Sequence, residues 1–220
     1  PANADNCGVA SAINDYNNTS DASDIYPVGT TTIVWTVTDI YGNTSTCTQT
    51  ITITDDEDPT ISCPSDVTVS ADGGVCTASA VALGSATTSD NCSVASTTND
   101  APATYPLGTT TVTWTVTDAS GNTATCTQTV TVIDTENPTI TCPADMIVSA
   151  DGGSCTASGV IIGSPTTSDN CSVASVTSDA PAEFQIGITT VTWTVIDGSG
   201  NVATCTQTVT VNDTENPTIT

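Results

Sequence analysis

The fold class this sequence predicts is all-β, built as tandem sandwich repeats, and three observations predict it. First, the phrase Asp134-Thr135-Glu136-Asn137-Pro138-Thr139-Ile140-Thr141-Cys142-Pro143 returns almost unchanged around Pro59 and Pro217, so three prolines stand 79 residues apart. A fixed period of this length is the signature of repeated structural units. Second, Cys63, Cys76, Cys92 and Cys126 recur at the same step as Cys142, Cys155, Cys171 and Cys205, and Trp35, Trp114 and Trp193 keep that step. Third, segments such as Thr111-Val112-Thr113-Trp114-Thr115-Val116-Thr117 alternate strictly, with Val, Trp and Val on one face and Thr on the other. That period of two belongs to half-buried strands, and no segment carries a helical period.

Taken in order, the elements of one repeat justify themselves locally. Val67-Thr68-Val69 and Thr129-Val130-Thr131-Val132 alternate as the 111–117 segment does. Threonine suits the wet side of such strands, because its β-branched side chain favours the pleated backbone without adding much apolar surface. Turn formers separate the strands: Ala71-Asp72-Gly73-Gly74, Tyr105-Pro106-Leu107-Gly108 and Asp118-Ala119-Ser120-Gly121-Asn122. About seven short strands in 79 residues predict an immunoglobulin-like β-sandwich. Complete repeats are expected at 59–137 and 138–216. Residues 1–58 form an incomplete repeat lacking its first strands, and 217–220 are the start of a next repeat or a contact with a next subunit. Repeat 1 also carries six more residues between Cys7 and Trp35 than repeat 2 has between Cys92 and Trp114, and they fall in a polar stretch at 17–24.

Composition narrows the function. The 220 residues include no Lys, Arg or His and 24 Asp plus Glu, for a formal charge of −24. No side chain can neutralise another, and the chain repels itself. Nucleic acid is excluded as a partner, since phosphate binding depends on Lys and Arg. Anionic membrane surfaces are disfavoured on the same ground. No apolar run is long enough to span a bilayer as a helix. An enzyme is not expected: there is no base titrating near neutrality, no cation for an oxyanion, and the carboxylates repeat at turns instead of gathering in one cleft.

Ten cysteines at regular spacing read as a disulfide framework in an oxidising compartment. Zinc is the weaker reading, because no Cys-x-x-Cys and no His accompany them. Four cysteines per repeat allow three connectivities. In an immunoglobulin-like sandwich the first strand starts at the same end as the hairpin joining the last two. That geometry favours Cys63–Cys126 and Cys142–Cys205, and leaves Cys76–Cys92 and Cys155–Cys171 within each repeat. Cys7 and Cys47 are then expected to bond a preceding segment or an adjacent subunit.

The phrases Cys63-Pro64, Ala71-Asp72-Gly73, Asp90-Asn91, 105–112, 118–122, Cys126 and Val130-Thr131-Val132 together resemble the hyalin repeat (HYR) domain. The likeness covers both full repeats and most of the partial one. It implies an immunoglobulin-like fold, an extracellular, cell-surface location and a part in adhesion or surface architecture, and it supports the Cys63–Cys126 link. Arrays of this kind are similar to those of large bacterial surface proteins.

The acidic phrases at the joints are the candidate chemistry. Calcium takes six to eight oxygen ligands in loose geometry. One joint offers Asp55, Asp56, Glu57 and Asp58 to meet Asp90, Asn91, Asp118 and Asn122 of the following repeat. The next offers Asp134, Glu136 and Asn137 to meet Asp169, Asn170, Asp197 and Asn201. Asp213, Glu215 and Asn216 repeat the first half of such a joint, and Asp5, Asn6, Asp39 and Asn43 repeat the second. The expected cofactor is therefore calcium, and the expected role a structural segment of an extracellular filament or stalk, joined to copies of itself head-to-tail or to further repeats. The alternative is an adhesin module taking a carbohydrate or protein ligand through its loops, of which the 17–24 insertion is the one that differs.

Overall fold

Strand alternation decides where each side chain goes. The computed structural model describes residues 4–219, so Thr220 of the 217–220 segment lies outside it. Repeat 1 contributes β1 (Val9–Asn14), β2 (Gly29–Asp39) and β3 (Thr44–Ile53). Repeat 2 contributes β4 (Thr60–Ser62), β5 (Val67–Ser70), β6 (Thr77–Ser79), β7 (Thr87–Ser89), β8 (Val94–Asn99), β9 (Thr104–Pro106), β10 (Gly108–Asp118) and β11 (Thr123–Ile133). Repeat 3 adds β12 (Thr139–Thr141), β13 (Met146–Ser149), β14 (Thr156–Ser158), β15 (Thr166–Ser168), β16 (Val173–Ser178), β17 (Glu183–Gln185), β18 (Gly187–Asp197) and β19 (Val202–Asn212). The described residues are all-β, with no helix among them.

The chain packs as two units. The first holds Pro1–Cys63, Ala86–Asn99 and Trp114–Cys126. Here β1, β2 and β3 form an antiparallel sheet in that order, β4 pairs with β7, and β8 pairs with the end of β10 from Trp114 to Asp118. Ile33, Trp35, Trp114 and Val116 are buried, and the indole N–H of Trp35 donates to Gln49 Oε1 at 2.9 Å. Cys63 is bonded to Cys126 with their Cα atoms 5.8 Å apart.

The second unit holds Pro64–Ser85, Asp100–Thr113 and Thr127–Thr220, and so contains the whole of repeat 3. Its main sheet runs β13-β19-β18-β16, and the ladders β12-β15 and β14-β17 make up the facing layer. β18 and β19 form a long antiparallel hairpin, from Gly187 opposite Val211 to Ile196 opposite Val202. β13 lies parallel to β19, pairing Met146 with Val209, and in repeat 2 β5 pairs with β11 in the same register, Val67 with Val130. The core between the layers holds Ala157, Phe184, Val191, Trp193, Val209 and Val211. Gln207, 1% exposed, lies inside this core; its amide donates to the carbonyls of Ala144 at 2.9 Å and Ile162 at 3.0 Å, and its oxygen accepts from Trp193 Nε1. Cys142 is bonded to Cys205.

One expectation is overturned. Cys76 is bonded to Cys171, not to Cys92, and the Cys155–Cys171 pair does not form; Cys92 and Cys155 are free thiols. In repeat 3, Cys155 lies beside Asp213 and Glu215 in an open cleft, whereas Cys171 follows Asp169 at the end that meets repeat 2. The link therefore ties consecutive repeats together. On the chain-entropy model, closing its 95-residue separation contributes about 4.7 kcal/mol. Cys7 and Cys47 are also free and exposed.

Candidate metal centres at the repeat joints

The alternation that fills the core also delivers carboxylates to its edge. Along β18 the inward positions are Val191, Trp193, Val195 and then Asp197, which is 2% exposed. Along β10 they are Val112, Trp114, Val116 and Asp118, again 2% exposed. From β11 the phase of Gln128, Val130 and Val132 continues one step past the strand to Asp134, 7% exposed. A period of two thus carries each aspartate to the rim of a sandwich as though it were the next valine.

Each rim aspartate is held by the turn that follows it. Asp118 Oδ1 accepts the backbone N–H groups of Ser120, Gly121 and Asn122 at 2.9, 2.6 and 2.7 Å, and its Oδ2 accepts Asn122 Nδ2 at 2.7 Å. Gly121 has a φ of 97°, a left-handed conformation that glycine adopts without strain, and this lets the turn close around the carboxylate. Asp197 is capped in the same way by Ser199 and Asn201. Burial works to raise both carboxyls, but the Asn122 and Asn201 side chains and the turn amides outweigh it, so both lie below the usual aspartate value. Asp39 and Asn43 build the same turn in repeat 1.

A second carboxylate comes from the loop before the following cysteine. Asp90 Oδ2 accepts the N–H groups of Cys92 and Ser93, and Asp169 Oδ2 those of Cys171 and Ser172. In repeat 1 Asp5 caps Cys7 and Gly8. The third arrives from the preceding repeat. Asn122 Nδ2 donates to the Asp55 carbonyl at 3.1 Å and Ser120 Oγ to its carboxylate at 3.3 Å. Asn201 and Ser199 make the matching bonds to Asp134 at 3.2 and 3.4 Å. The outcome is two triads, Asp55–Asp90–Asp118 and Asp134–Asp169–Asp197, in each of which one oxygen per residue lies within 4.8 Å of the others.

These triads place acceptor against acceptor. Asp90 Oδ1, Asp169 Oδ1 and Asn170 Oδ1 are buried and receive no hydrogen bond. A carboxylate oxygen can only accept, so each such atom forfeits its hydration unless a donor or a cation replaces the water. The chain has no cationic side chain to serve. Three carboxylates with spare oxygens, backed by turn amides and with loose geometry, fit the donor set of a hard divalent cation such as calcium.

The remaining predicted ligands lie outside the triads. Asp56, Glu57, Asp58, Glu136 and Asn137 are exposed. Glu57 accepts Asn91 Nδ2 at 2.9 Å, and Glu136 accepts the Gly74 N–H at 2.9 Å. Asn170 points its amide nitrogen at the Val75 carbonyl and Asp134, bracing the joint beside the Cys76–Cys171 bond. Asp213, Glu215 and Asn216 are exposed in the open cleft around Cys155, and Asp5, Asp39 and Asn43 line another around the start of repeat 1, next to Asn6. Sequence reading did not single out Ser120, Ser199 or the 76–171 bond, each of which reaches across a joint.

The chain belongs to the HYR domain family, whose model matches residues 54–132 and again 133–211. No curated protein matches the sequence. Among solved structures it is similar to protocadherin gamma B7 extracellular cadherin domains 1–4, with 12% identity, 84% of this chain and 58% of that chain covered, and a TM-score of 0.35. It is similar to the protocadherin gamma B4 extracellular domain at 16% identity, with 89% and 40% covered and a TM-score of 0.39. For the human desmocollin-1 ectodomain the identity is 15%, the coverage 84% and 47%, and the TM-score 0.28. The chain spans between 40% and 58% of the length of these three structures. Tandem HYR repeats carrying three disulfides fit a structural or adhesion module. No helix of the described residues is long and apolar enough to cross a membrane.

Proposed function

We propose that the chain is a structural segment of an extracellular filament or stalk, with calcium at each repeat joint and disulfides as a second restraint. The observation that carries this reading is the pair of carboxylate triads whose buried Asp90 and Asp169 oxygens have no donor. Each triad draws on two consecutive repeats, so an ion bound there links them and offsets the repulsion among their carboxylates. Asp55, Asp90 and Asp118 would hold one ion and Asp134, Asp169 and Asp197 the other; calcium supplies charge neutralisation and coordination, and no reaction follows. The disulfides favour an oxidising, extracellular setting. Neighbours would be further repeats of the same kind or copies of this chain.

Extracellular modules bind calcium with dissociation constants of about 10⁻⁴–10⁻³ M. At ~10 mM calcium each site then adds about 1.4–2.7 kcal/mol to folding stability by mass action. Thermal unfolding in calcium and in chelator tests this: a higher midpoint in calcium, reversed by chelator and unmatched by equal ionic strength of sodium, is the expected result. Identical midpoints would sink the proposal.

One feature favours the adhesin reading as a second function. The 14–26 loop of repeat 1, six residues longer than the matching stretch of repeat 2, is held around buried Asn14, whose amide bonds Asn17 Oδ1 and the Thr19 carbonyl at 2.8 Å each. Tyr16 and Tyr26 stack at 4.6 Å over it, and an open cleft lined by Ser20, Asp21, Ser23, Trp35 and Gln49 lies alongside. A polar cleft with aromatic neighbours suits a carbohydrate. Binding to a glycan panel that disappears when 17–24 is shortened to the repeat 2 length would support it, and an unchanged panel would remove it.

A further inference from the structure

The Cys76–Cys171 bond has two preformed halves, and both halves recur elsewhere in the chain. The donor half is a hairpin. Asp72 N–H bonds the Thr77 carbonyl at 2.8 Å, the Asp72 carboxylate takes the Ser79 N–H and hydroxyl, and Gly74 N–H donates to Glu136 Oε2 at 2.9 Å. Repeat 3 rebuilds that hairpin bond for bond: Asp151 N–H to Thr156 O at 2.8 Å, Asp151 carboxylate to Ser158, and Gly153 N–H to Glu215 Oε2 at 2.9 Å. It presents Cys155 where repeat 2 presents Cys76, but the Cys155 thiol is free and exposed. The receiving half is the aspartate-capped turn that holds Cys171 N–H on Asp169 at 2.9 Å. In repeat 1 the same turn holds Cys7 N–H on Asp5 at 2.8 Å, and Cys7 too is free and exposed.

We infer that repeat 3 of one copy of this chain docks on repeat 1 of a second copy, joined by a Cys155–Cys7 disulfide and completing a third carboxylate triad from Asp213, Asp5 and Asp39. The triad assignment follows from position, since Asp213 continues the inward phase of Gln207, Val209 and Val211 as Asp134 continues that of Val132. Asp5 and Asp39 cap their turns as Asp169 and Asp197 do. The inference rests on the head-to-tail reading above, while the covalent bond itself requires no cation. In forming it the two thiols release two protons and two electrons. A small-molecule disulfide such as oxidised glutathione takes them by thiol–disulfide exchange and is reduced to two thiols.

The test uses the whole chain at high concentration in a reduced/oxidised glutathione buffer, with calcium and, separately, with chelator. A non-reducing gel is expected to show a ladder at multiples of the monomer mass, and digestion at Asp and Glu followed by mass spectrometry is expected to find the Cys7 peptide bonded to the Cys155 peptide. Cys155→Ser and Cys7→Ser each abolish the ladder, and Cys92→Ser leaves it intact. Because both thiols are exposed, the variants keep the wild-type circular dichroism. A ladder that survives Cys155→Ser, bonds scattered over Cys47 and Cys92, or no species beyond the monomer would overturn the inference. Calcium binding measured on the same monomer reports separately on the triads, so failure of the cross-link is distinguishable from failure of the calcium reading.

Discussion

At the scale of single residues, Asp169 concentrates the chemistry, since one of its oxygens caps a turn and the other is buried without a donor. Asp169→Asn keeps the capping oxygen, removes a charge and brings an N–H₂ toward Asp134. We expect the variant to melt higher than wild type in chelator and lower in ~10 mM calcium, with calcium affinity down at least about tenfold. Melting curves in both buffers check the crossing; a variant that melts lower in both would mark Asp169 as a purely structural cap. Asp145 and Asp151 make a different prediction. The Thr208 N–H on Asp145 and the Ser158 hydroxyl on Asp151 hold both carboxyls below the usual aspartate value. Depressed folded values mean stability that is present above the unfolded aspartate value and lost as pH falls through the folded one. Stability from these groups should therefore fade only as pH drops below the ordinary aspartate value, and Asp145→Asn should lower the midpoint more at about pH 7 than in acid. A pH series of melts reads this directly.

At the scale of elements, much was legible because a strand writes its own period. The alternation through Val112, Trp114 and Val116 gave the inward face of β10, and the Gly-Asn turn after Asp118 was readable from its residues alone. The short facing strands were less so: β4, β6, β7 and β9 are three residues each, too brief for a period to appear. Gln128 and Gln207 stand at inward positions that look like errors in an apolar pattern, yet each spans the two layers by donating to carbonyls opposite. Gln207→Leu leaves the Ala144 and Ile162 carbonyls and the Trp193 N–H without a partner, and should cost about 2–4 kcal/mol in denaturant unfolding. The joint disulfide was misread for a related reason. Spacing within a repeat brings Cys155 and Cys171 close in sequence, while the fold sets one beside Asp213 and Glu215 and the other after Asp169 at the joint with repeat 2. Cys171→Ser should lower stability by roughly 3–5 kcal/mol and loosen the Asn170–Val75 contact, which hydrogen exchange at the 169–172 loop would register.

At the scale of the whole molecule, a formal charge of −24 with no cationic side chain makes divalent ions the natural counter-charge. The repeat period identified the joints and set Asp55 against Asp90 and Asp118, and Asp134 against Asp169 and Asp197, as the triads do, but it did not separate these three from the other acidic residues of each joint. Glu57 and Glu136 lie outside the triads and accept hydrogen bonds from Asn91 and from the Gly74 backbone. Convergence depends on the end of the sandwich to which each loop is carried, and a local pattern does not encode that. Sodium at matched ionic strength should screen the repulsion without filling the triads, so calcium should stabilise more than screening alone. The most direct measurement is diffraction from crystals of this chain grown in calcium, with anomalous data. The account predicts a strong anomalous peak bounded by Asp55, Asp90 and Asp118 and another bounded by Asp134, Asp169 and Asp197. Ordered carboxylates around water alone at both positions would contradict it.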